Sequence, residues 1–507
     1  MNLKEIIEKY EYTDINGISY IKTDDTLSFI KKASEANARL SLMFGEIDDD
    51  MNVIKYVFDQ ENTICEVRQN VINNEYDSIY NIFFNAVFFE KEIHDMFGWV
   101  AIGNDRLTPL VHHENFPKNT HPLQKEFKWN SQLEWENNER KFLEVEGKGV
   151  FEIPVGPVHA GVIEPGHFRF SLAGERILNI EPMLWFQHKG TEKLFENIDP
   201  SKYIYLSERI SGDTSVSHAL AYVQAVEKIL NIEVPKRAQA IRVILSELER
   251  IYNHVNDIGF IGQDTGFGVA GAQGMRLKEL VLIQCEKFTG SRVMRNVLSY
   301  GGITFNPDNE KLNSLNKFIT EFSKDYKEVI DMTEEIHTMV SRMEKCGIMK
   351  KSVAIAYGTV GYPARASGVK TDTRHFHPYD AYKNLSINIS IEHIGDVRSR
   401  YMVRVHEVYE SLSIILSLLD NMPVGDVDVK NISLNNATGS AYGITEGWRG
   451  EIIHYISIKN GKITRAKIKD PSFSNWQAMV PTINGNIIGD FPLINKSFNL
   501  SYSGNDL

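Results

Sequence analysis

Cysteine is scarce in this chain of 507 residues. The three cysteines, Cys65, Cys285 and Cys346, lie far apart, and none of them forms a Cys-x-x-Cys pair. Iron–sulfur clusters and structural zinc sites depend on groups of such thiolates. The sequence therefore excludes both kinds of site within this chain alone, and so few cysteines suit a reducing compartment.

Basic charge is also in deficit, with 55 Lys and Arg against 67 Asp and Glu and a net charge of -12. Because nucleic-acid binding needs a basic face, we expect no nucleic-acid partner. No run of 18 apolar residues is present, and the first residues do not resemble a signal peptide. We expect a cytoplasmic chain, peripheral on the inner face of the cell membrane, that reaches the membrane through partner subunits.

The remaining composition is typical of a globular protein long enough for two or three domains, with 42% hydrophobic residues. We predict an α+β region over 1–130, a charged linker over 131–150 and a mostly α-helical region over 151–507 with small β-sheets near its ends. Apolar residues at helical spacing predict helices over 216–230, 238–258, 276–298, 308–344 and 387–419. Asn460-Gly461, between two alternating stretches, predicts a hairpin.

Two motifs in the first region are similar to the thirty-kilodalton-type subunit of respiratory complex I. They are Phe89-Glu-Lys-Glu-Ile-His-Asp-Met-Phe-Gly98 and His121-Pro-Leu-Gln-Lys-Glu-Phe127. In that family the domain binds the large subunit and its electron-transfer neighbour. The resemblance therefore implies a structural role for this region and no catalytic one.

The larger region resembles the forty-nine-kilodalton-type subunit of complex I and, equally, the large subunit of group 4 membrane-bound [NiFe] hydrogenases. The resemblance implies two such subunits fused in one chain, with a hydrogenase large-subunit-like fold over 151–507. Seven ordered stretches carry it: Gly156-Pro-Val-His159, Glu164-Pro-Gly-His-Phe-Arg169, Gln187-His-Lys-Gly-Thr-Glu-Lys193, Val234–Arg242, Glu247–His254, Gly395-Asp-Val-Arg-Ser-Arg-Tyr401 and Glu446-Gly-Trp-Arg-Gly-Glu451.

The hydrogenase metal ligands are missing from the matching positions. The stretch that resembles the first Cys-x-x-Cys loop reads Arg209-Ile-Ser-Gly-Asp-Thr-Ser215, with Ser211 and Thr214 at the ligand positions. The stretch that resembles the second reads Asp470-Pro-Ser-Phe-Ser-Asn475, with Ser472 and Asn475 there. A nickel–iron centre needs soft thiolates, and hydroxyl and amide groups are hard donors. We predict no metal in this chain, and no hydrogenase-type processing of the end at Leu507.

In complex I the corresponding pocket receives a quinone head group, and this chain keeps part of that pattern. His159 matches the first His of the loop and Asp264 matches an Asp near the quinone site. The second His falls on Ile163, and the Tyr position falls near Pro200, with Tyr203 and Tyr205 close by. The resemblance thus implies a quinone or another small acceptor, without the complete set of residues that hold a quinone.

We single out Glu164, His159, Asp264 and Arg449 as candidate catalytic residues, because reduction of a two-electron acceptor needs proton donors and a stabilising charge. Other candidates to line the pocket are His167, His188, Arg209, Ser211, Thr214, His218, Asp470, Ser472 and Asn475. For each of these side chains, the alternative is an ordinary hydrogen-bonded structural role.

Two functions remain open from the sequence. In the first, the chain is a subunit of an NADH or ferredoxin:quinone oxidoreductase-like complex that passes electrons from an iron–sulfur partner to a quinone or other acceptor and drives ion translocation. In the second, it is a non-catalytic coupling or assembly subunit. The resemblance implies 4Fe-4S clusters in partners, no tightly bound cofactor here and an isolated chain without activity. The implied partners are an iron–sulfur small subunit, a ferredoxin-like subunit and antiporter-like membrane subunits.

Overall fold

The computed structural model describes residues 1–48, 51–159 and 163–507. Its first region contains helices α1 (Leu3–Ile7), α2 (Thr26–Glu35) and α3 (Ala86–Phe97), and strands β1 (Glu11–Ile15), β2 (Ile18–Lys22), β3 (Arg39–Asp48), β4 (Met51–Gln60), β5 (Thr63–Asn70), β6 (Glu75–Asp77) and β7 (Val100–Ile102). The first five strands form one sheet in the order β1-β2-β5-β4-β3, in which β2 and β5 run parallel.

The first hairpin shows how local sequence sets this sheet. Asn16 and Gly17 both have positive φ, 54° and 80°. A two-residue loop with that backbone matches the twist of antiparallel strands. Strands β1 and β2 therefore pair in register from Ile15–Ile18 outward to Glu11–Lys22.

The second region begins after residues 131–146, a described stretch without helix or strand. Its strands are β8 (Val150–Val155), β9 (His167–Ala173), β10 (Arg176–Met183), β11 (Leu298–Ser299), β12 (Gly302–Ile303), β13 (Gly439–Gly447), β14 (Gly450–Lys459) and β15 (Lys462–Lys469). Its helices are α4 (Thr191–Asn197), α5 (Tyr203–Ser207), α6 (Ser215–Leu230), α7 (Lys236–Asp264), α8 (Gly268–Thr289), α9 (Asn309–Glu334), α10 (His337–Met343), α11 (Lys351–Ala356), α12 (Gly361–Ala366), α13 (Thr373–Phe376), α14 (Val397–Asp420), α15 (Pro471–Ile483), α16 (Phe491–Phe498) and α17 (Tyr502–Asp506). Short 3-10 turns lie at Pro200–Lys202, Asp380–Asn384 and Ile488–Asp490.

The long helix α7 is the centre of the helical region, and it packs against both α8 and α14. Its approach to α8 depends on two glycines. A Cβ added at Gly259 would lie 2.7 Å from the Cα of Gly274, so a side chain at either position would push the two helices apart. The close crossing fixes the end of α7 and thereby the position of Asp264.

The fold class predicted from the sequence is confirmed: an α+β region precedes a helix-rich region with small sheets near its ends. The hairpin at Asn460-Gly461 is also confirmed, joining β14 to β15. Three helix predictions extended past a helix end. The prediction over 308–344 is interrupted after Glu334, where α9 ends, and α10 starts at His337. Helix α8 ends at Thr289 because Gly290 adopts the left-handed conformation, and α14 begins only at Val397, where the Asp396 side chain accepts a hydrogen bond from the Ser399 amide.

The two regions are joined by a buried seam between the first sheet and the β13-β14-β15 sheet. The rings of Phe44 and Tyr455 lie 4.8 Å apart. Arg39 donates to both oxygens of Glu451, at 2.8 and 2.6 Å, from one sheet to the other. The N-terminal region is thus held on strand β14, which starts next to Arg449. Among the described residues, no helix is long and apolar enough to cross a membrane.

Candidate functional site

The four positions that match hydrogenase ligands come together in the structure. Ser211 and Thr214 lie in the loop between α5 and α6, and Ser472 and Asn475 lie in the first turn of α15. All four side chains are buried. A fifth residue, Ser501, joins the two loops: its hydroxyl lies 2.9 Å from the Ser211 hydroxyl, and its amide donates to the Ser472 hydroxyl at 3.0 Å.

Asp213 and Arg449 form an ion pair at the same place. Both guanidinium Nη atoms donate to the Asp213 carboxylate, each at 2.7 Å. The hydroxyls of Ser211 and Thr214 also donate to this carboxylate, both at 2.9 Å. Burial opposes ionisation here, but the Arg449 charge and these hydrogen bonds outweigh it and lower the pKa of Asp213 to about 2. Asp213 is therefore an anion at neutral pH.

We call Ser211, Asp213, Thr214, Arg449, Ser472, Asn475 and Ser501 the ligand-position cluster. Its second loop is tied to the backbone. The Asp470 carboxylate accepts from the Ser472 amide at 2.7 Å. The Asn475 side chain exchanges two hydrogen bonds of 3.1 Å with the backbone of Val360. Asn475 thus fixes the start of α12, and its amide is oriented by the backbone.

Two buried histidines next to the cluster form a chain of hydrogen bonds with Asp470. His218 on α6 contacts the Asp470 carboxylate through Nε2 at 3.0 Å and the His454 Nε2 through Nδ1 at 3.0 Å. Burial, followed by the neighbouring His218, places the pKa of His454 well below its usual range. Nδ1 of His454 has no hydrogen-bond partner among the described residues. The arrangement can orient and hold a proton, but it is closed to solvent.

Glu249 is a further buried acid next to the first loop. It accepts hydrogen bonds from the amides of Val216 and Ser217, at 2.7 and 3.1 Å, and from the Ser217 hydroxyl at 2.5 Å. Glu249 therefore caps the start of α6, where amides have no helical partner. Burial raises the pKa of Glu249 to about 7, because nothing basic pairs with it in these contacts.

Several residues predicted from the sequence contact the C-terminal segment or the Gly-Pro loop instead of the cluster itself. Glu164 accepts from the Ser503 amide at 3.1 Å, and His188 Nδ1 lies 2.6 Å from the carbonyl of Asp506. His159 and His167 bond to carbonyls of their own loop, those of Gly166 at 2.7 Å and Gly156 at 3.2 Å.

The structure does not bring Arg209 and Asp264 into direct contact with the cluster. Arg209 donates to the carbonyl of Tyr205 at 2.7 Å, and 47% of its side chain is exposed. Asp264 is exposed at the C-terminal end of α7. The other predicted residues of this site, His218, Asp470 and the four ligand positions, lie together with Arg449.

The cluster does not fit a nickel–iron centre. Its donors are hydroxyl and amide groups that already bond to one another, whereas such a centre needs thiolates. The three cysteines are buried and free. Within the described ranges, no group of three or more His, Cys, Asp or Glu side chains is placed to hold a metal ion.

A second buried polar region adjoins the cluster through Glu446, three residues before Arg449. We call it the charge network. It consists of three arginines and four carboxylates, all buried: Glu247, Arg250, Arg365, Asp372, Arg374, Glu407 and Glu446.

Arg365 is the centre of the charge network. It donates to Glu407 and to Glu446, both at 2.9 Å. Arg374 bonds to Asp372 at 2.7 Å and to Glu247 at 3.1 Å. The network links α7, α12, α13, α14 and β13.

Three family models match successive parts of the chain. Residues 261–437 and 429–506 match the family model of the respiratory-chain NADH dehydrogenase 49 Kd subunit. Residues 19–133 match that of the 30 Kd subunit, and residues 189–257 match that of nickel-dependent hydrogenase. The matches follow one another along the chain, as expected for the two fused subunits.

Whole proteins give the same result. Formate hydrogenlyase subunit 5 of Escherichia coli (strain K12) is 31% identical over 481 residues, which cover 92% of this chain and 84% of that protein. An NADH-quinone oxidoreductase component of Chlorobium chlorochromatii (strain CaD3) is 32% identical over 359 residues, 69% of this chain and 90% of that protein. The chain belongs to the family that unites the large subunit of complex I with the large subunits of membrane-bound hydrogenases, and it carries the smaller complex I subunit as a domain in front. It is a subunit of the oxidoreductase kind.

Sequence reasoning missed four residues of the site: Asp213, Glu249, His454 and Ser501. Asp213 lies between two ligand positions, so the spacing of Ser211 and Thr214 was a usable signal. Glu249 and His454 lie within or near motifs that were recognised only as a whole. No sequence signal places Ser501 between two loops that are 290 and 29 residues away from it.

Proposed function

We propose that this chain is the large subunit of a membrane-associated, complex I-like and hydrogenase-related oxidoreductase. Electrons from an iron–sulfur partner subunit reduce a quinone or another small acceptor at the ligand-position cluster, and the reaction is coupled to ion translocation. The observation that supports this proposal is the chemistry of the ligand-position cluster. Its thiolate positions are hydroxyl and amide groups around Arg449 and a partly exposed Asp213, a polar setting for an organic acceptor and an unsuitable one for nickel and iron.

The partners follow from the same reasoning. The described residues hold no cysteine group for a cluster, so electrons must reach the site from a neighbouring subunit with 4Fe-4S clusters. A ferredoxin-like subunit and antiporter-like membrane subunits complete the proposed complex, on the cytoplasmic side of the membrane. Relatives carry names that mark them as parts of such assemblies, including hydrogenase-4 component G of Escherichia coli (strain K12), 32% identical over 430 residues.

The test uses the whole complex, purified through a tag on this chain. Chemically reduced ferredoxin and an uncharged menaquinone analogue are supplied, and ferredoxin oxidation and hydrogen are followed together. We expect quinone-dependent oxidation without hydrogen. Misplaced groups at a reacting centre can lower a rate about 100-fold. Arg449→Met releases Asp213 and the carbonyl of Asn499, so we expect it to lower the rate by about that factor. The control is Arg276→Met, an exposed arginine paired with Asp325.

The outcomes separate clearly. Hydrogen formation by the intact complex, or an unchanged quinone rate in Arg449→Met, contradicts the proposal. Oxidation of ferredoxin only with a different added acceptor keeps the redox role and replaces the quinone.

One observation favours a second candidate, a non-catalytic coupling or assembly subunit. Ser501 joins the two loops directly, and Asp213 already pairs with Arg449, so the cluster is complete without a ligand. In this case the intact complex, with its clusters reducible, oxidises no ferredoxin with any quinone. Organic extraction of the purified complex followed by mass spectrometry then finds no bound quinone. Recovery of a stoichiometric quinone contradicts this second candidate.

A further inference from the structure

The two oxygens of Asp213 have unequal surroundings. Oδ1 accepts three hydrogen bonds, from Ser211, Thr214 and Nη1 of Arg449. Oδ2 accepts from Nη2 of Arg449. The Asp213 side chain is 40% exposed, whereas Arg449 is 4% exposed. A molecule that approaches the cluster therefore meets a carboxylate first and the guanidinium behind it.

The Arg449 guanidinium also makes contacts other than those with Asp213. Nε donates to the carbonyl of Asn499 at 2.7 Å, and Nη1 has a second, long contact of 3.4 Å with the Thr214 hydroxyl. The group stacks on Trp448, with its carbon 3.9 Å from the ring centroid. A bidentate carboxylate is the ligand that an arginine fork fits best. Asp213 thus fills, from inside the chain, the place where an external carboxylate or oxyanion would bind.

We propose that Asp213 is a specificity-determining residue that excludes anionic acceptors from the ligand-position cluster and admits uncharged ones. This inference rests on the proposed function for its redox part and names the class of acceptor: uncharged, with a polar group that can take a hydrogen bond from, or give one to, the cluster. An anion would face the Asp213 charge at short range, and like charges at a partly desolvated site repel strongly. An uncharged carbonyl compound would meet no such repulsion.

The test compares two acceptors on the whole complex, an uncharged naphthoquinone and its sulfonated, anionic counterpart. The measured quantity is the ratio of the two kcat/KM values. Wild type is expected to favour the uncharged compound, and Asp213→Asn to reduce that preference by a factor on the order of ten, mainly through KM for the anion. Asp213→Glu keeps the charge and is expected to keep the preference.

A matched control is available on α8 and α9. Asp325 pairs with Arg276 through two hydrogen bonds of 2.7 and 2.6 Å, much as Asp213 pairs with Arg449. Asp325→Asn makes the same change in net charge and frees an arginine in the same way. We expect it to leave the preference between the two quinones unchanged.

A second measurement needs no turnover. Acetate is added to the complex at constant ionic strength, and the thermal midpoint is recorded. In Asp213→Asn the freed Arg449 fork binds acetate and the midpoint rises with concentration, whereas wild type shows no such rise. If wild type reduces neither quinone, the proposed function fails and this acetate measurement alone decides the inference.

The inference is overturned if Asp213→Asn matches wild type in both the quinone preference and the acetate response. It is also overturned if Asp325→Asn changes the preference as much as Asp213→Asn does. If Asp213→Asn does not assemble, wild type still gives an answer. Rising salt screens a partly exposed charge, so it must lower KM for the anionic quinone and leave that for the uncharged one in place; equal responses reject the inference.

Discussion

The charge network and the ligand-position cluster lie side by side, yet they are built in opposite ways. The network consists of full charges, each paired with an opposite one and closed to solvent. The cluster consists mainly of neutral hydroxyl and amide groups, with one ion pair that is partly exposed. Removing a partner from buried ion pairs is costly, whereas neutral hydrogen bonds contribute about 1 kcal/mol each. The difference indicates that substitutions in the charge network lower stability more than substitutions in the ligand-position cluster do.

The largest expected effect concerns the network. Arg365→Met leaves Glu407 and Glu446 without their shared arginine, at about 1% side-chain exposure for Glu446. We expect a loss of about 3–5 kcal/mol of stability, since two buried carboxylates lose the arginine that bonds to both. Soluble yield and the denaturant midpoint of the full chain measure it.

The matched control is again an exposed pair. Arg276→Met removes one partner of an ion pair whose side chains are 43% and 32% exposed. Such surface pairs contribute about 0–1 kcal/mol. If the Arg365 and Arg276 variants are equally stable, the charge network contributes no more to stability than a surface ion pair does.

Glu249 offers a test based on the pH dependence of stability. It is a buried acid next to the cluster, and unlike the carboxylates of the charge network it has no opposite charge beside it among the described residues. Its pKa is about 7 in the folded chain, and about 4.3 in an unfolded chain. The folded state therefore holds the proton more tightly. This contribution to stability is complete below about pH 4.3 and is lost as pH rises through about 7.

Glu249→Gln lacks this titration. The stability of the variant relative to wild type should rise by about 3–4 kcal/mol between those two pH values. Denaturant midpoints of both proteins across the pH range measure the difference. A constant difference would mean that folding does not raise the pKa of Glu249.

Ser501 tests how much the cluster depends on neutral hydrogen bonds. Its hydroxyl contacts Ser211 at 2.9 Å and accepts from the Gly504 amide at 2.8 Å, which caps α17. Ser501→Ala should cost about 1–2 kcal/mol and speed hydrogen exchange of the α17 amides. Ser503→Ala, whose hydroxyl lies 3.5 Å from that of Ser501, is the control. A loss of stability as large as that of the Arg365 variant would mean that the cluster contributes as much to stability as the charge network does.

The smallest effect concerns Arg209, which was predicted to line the pocket. Its side chain points to Tyr205 and Glu208 and is about half exposed. Arg209→Met should change the quinone rate by no more than about twofold, since exposed substitutions away from a site have small effects. A tenfold loss would show that the cluster extends further along the α5–α6 loop than its contacts indicate.

These cases also show what the sequence could predict. Family motifs predicted that four residues lie close together, because the motifs imply a fold in which those positions meet. The four are Ser211, Thr214, Ser472 and Asn475. They did not predict the direction of Arg209, which depends on a carbonyl one helical turn away. They did not predict the charge network as a unit either, since its members come from five elements and pair only after the helices pack.

The role of Ser501 has a consequence for biogenesis. Where two such loops hold a metal between them, metal binding and the joining of the loops are coupled. Here the two loops are joined by a serine of the same chain, through bonds that form as the chain folds. We therefore expect the two loops to be joined without a metal, so that a chelator present during refolding should leave the yield of folded chain unchanged.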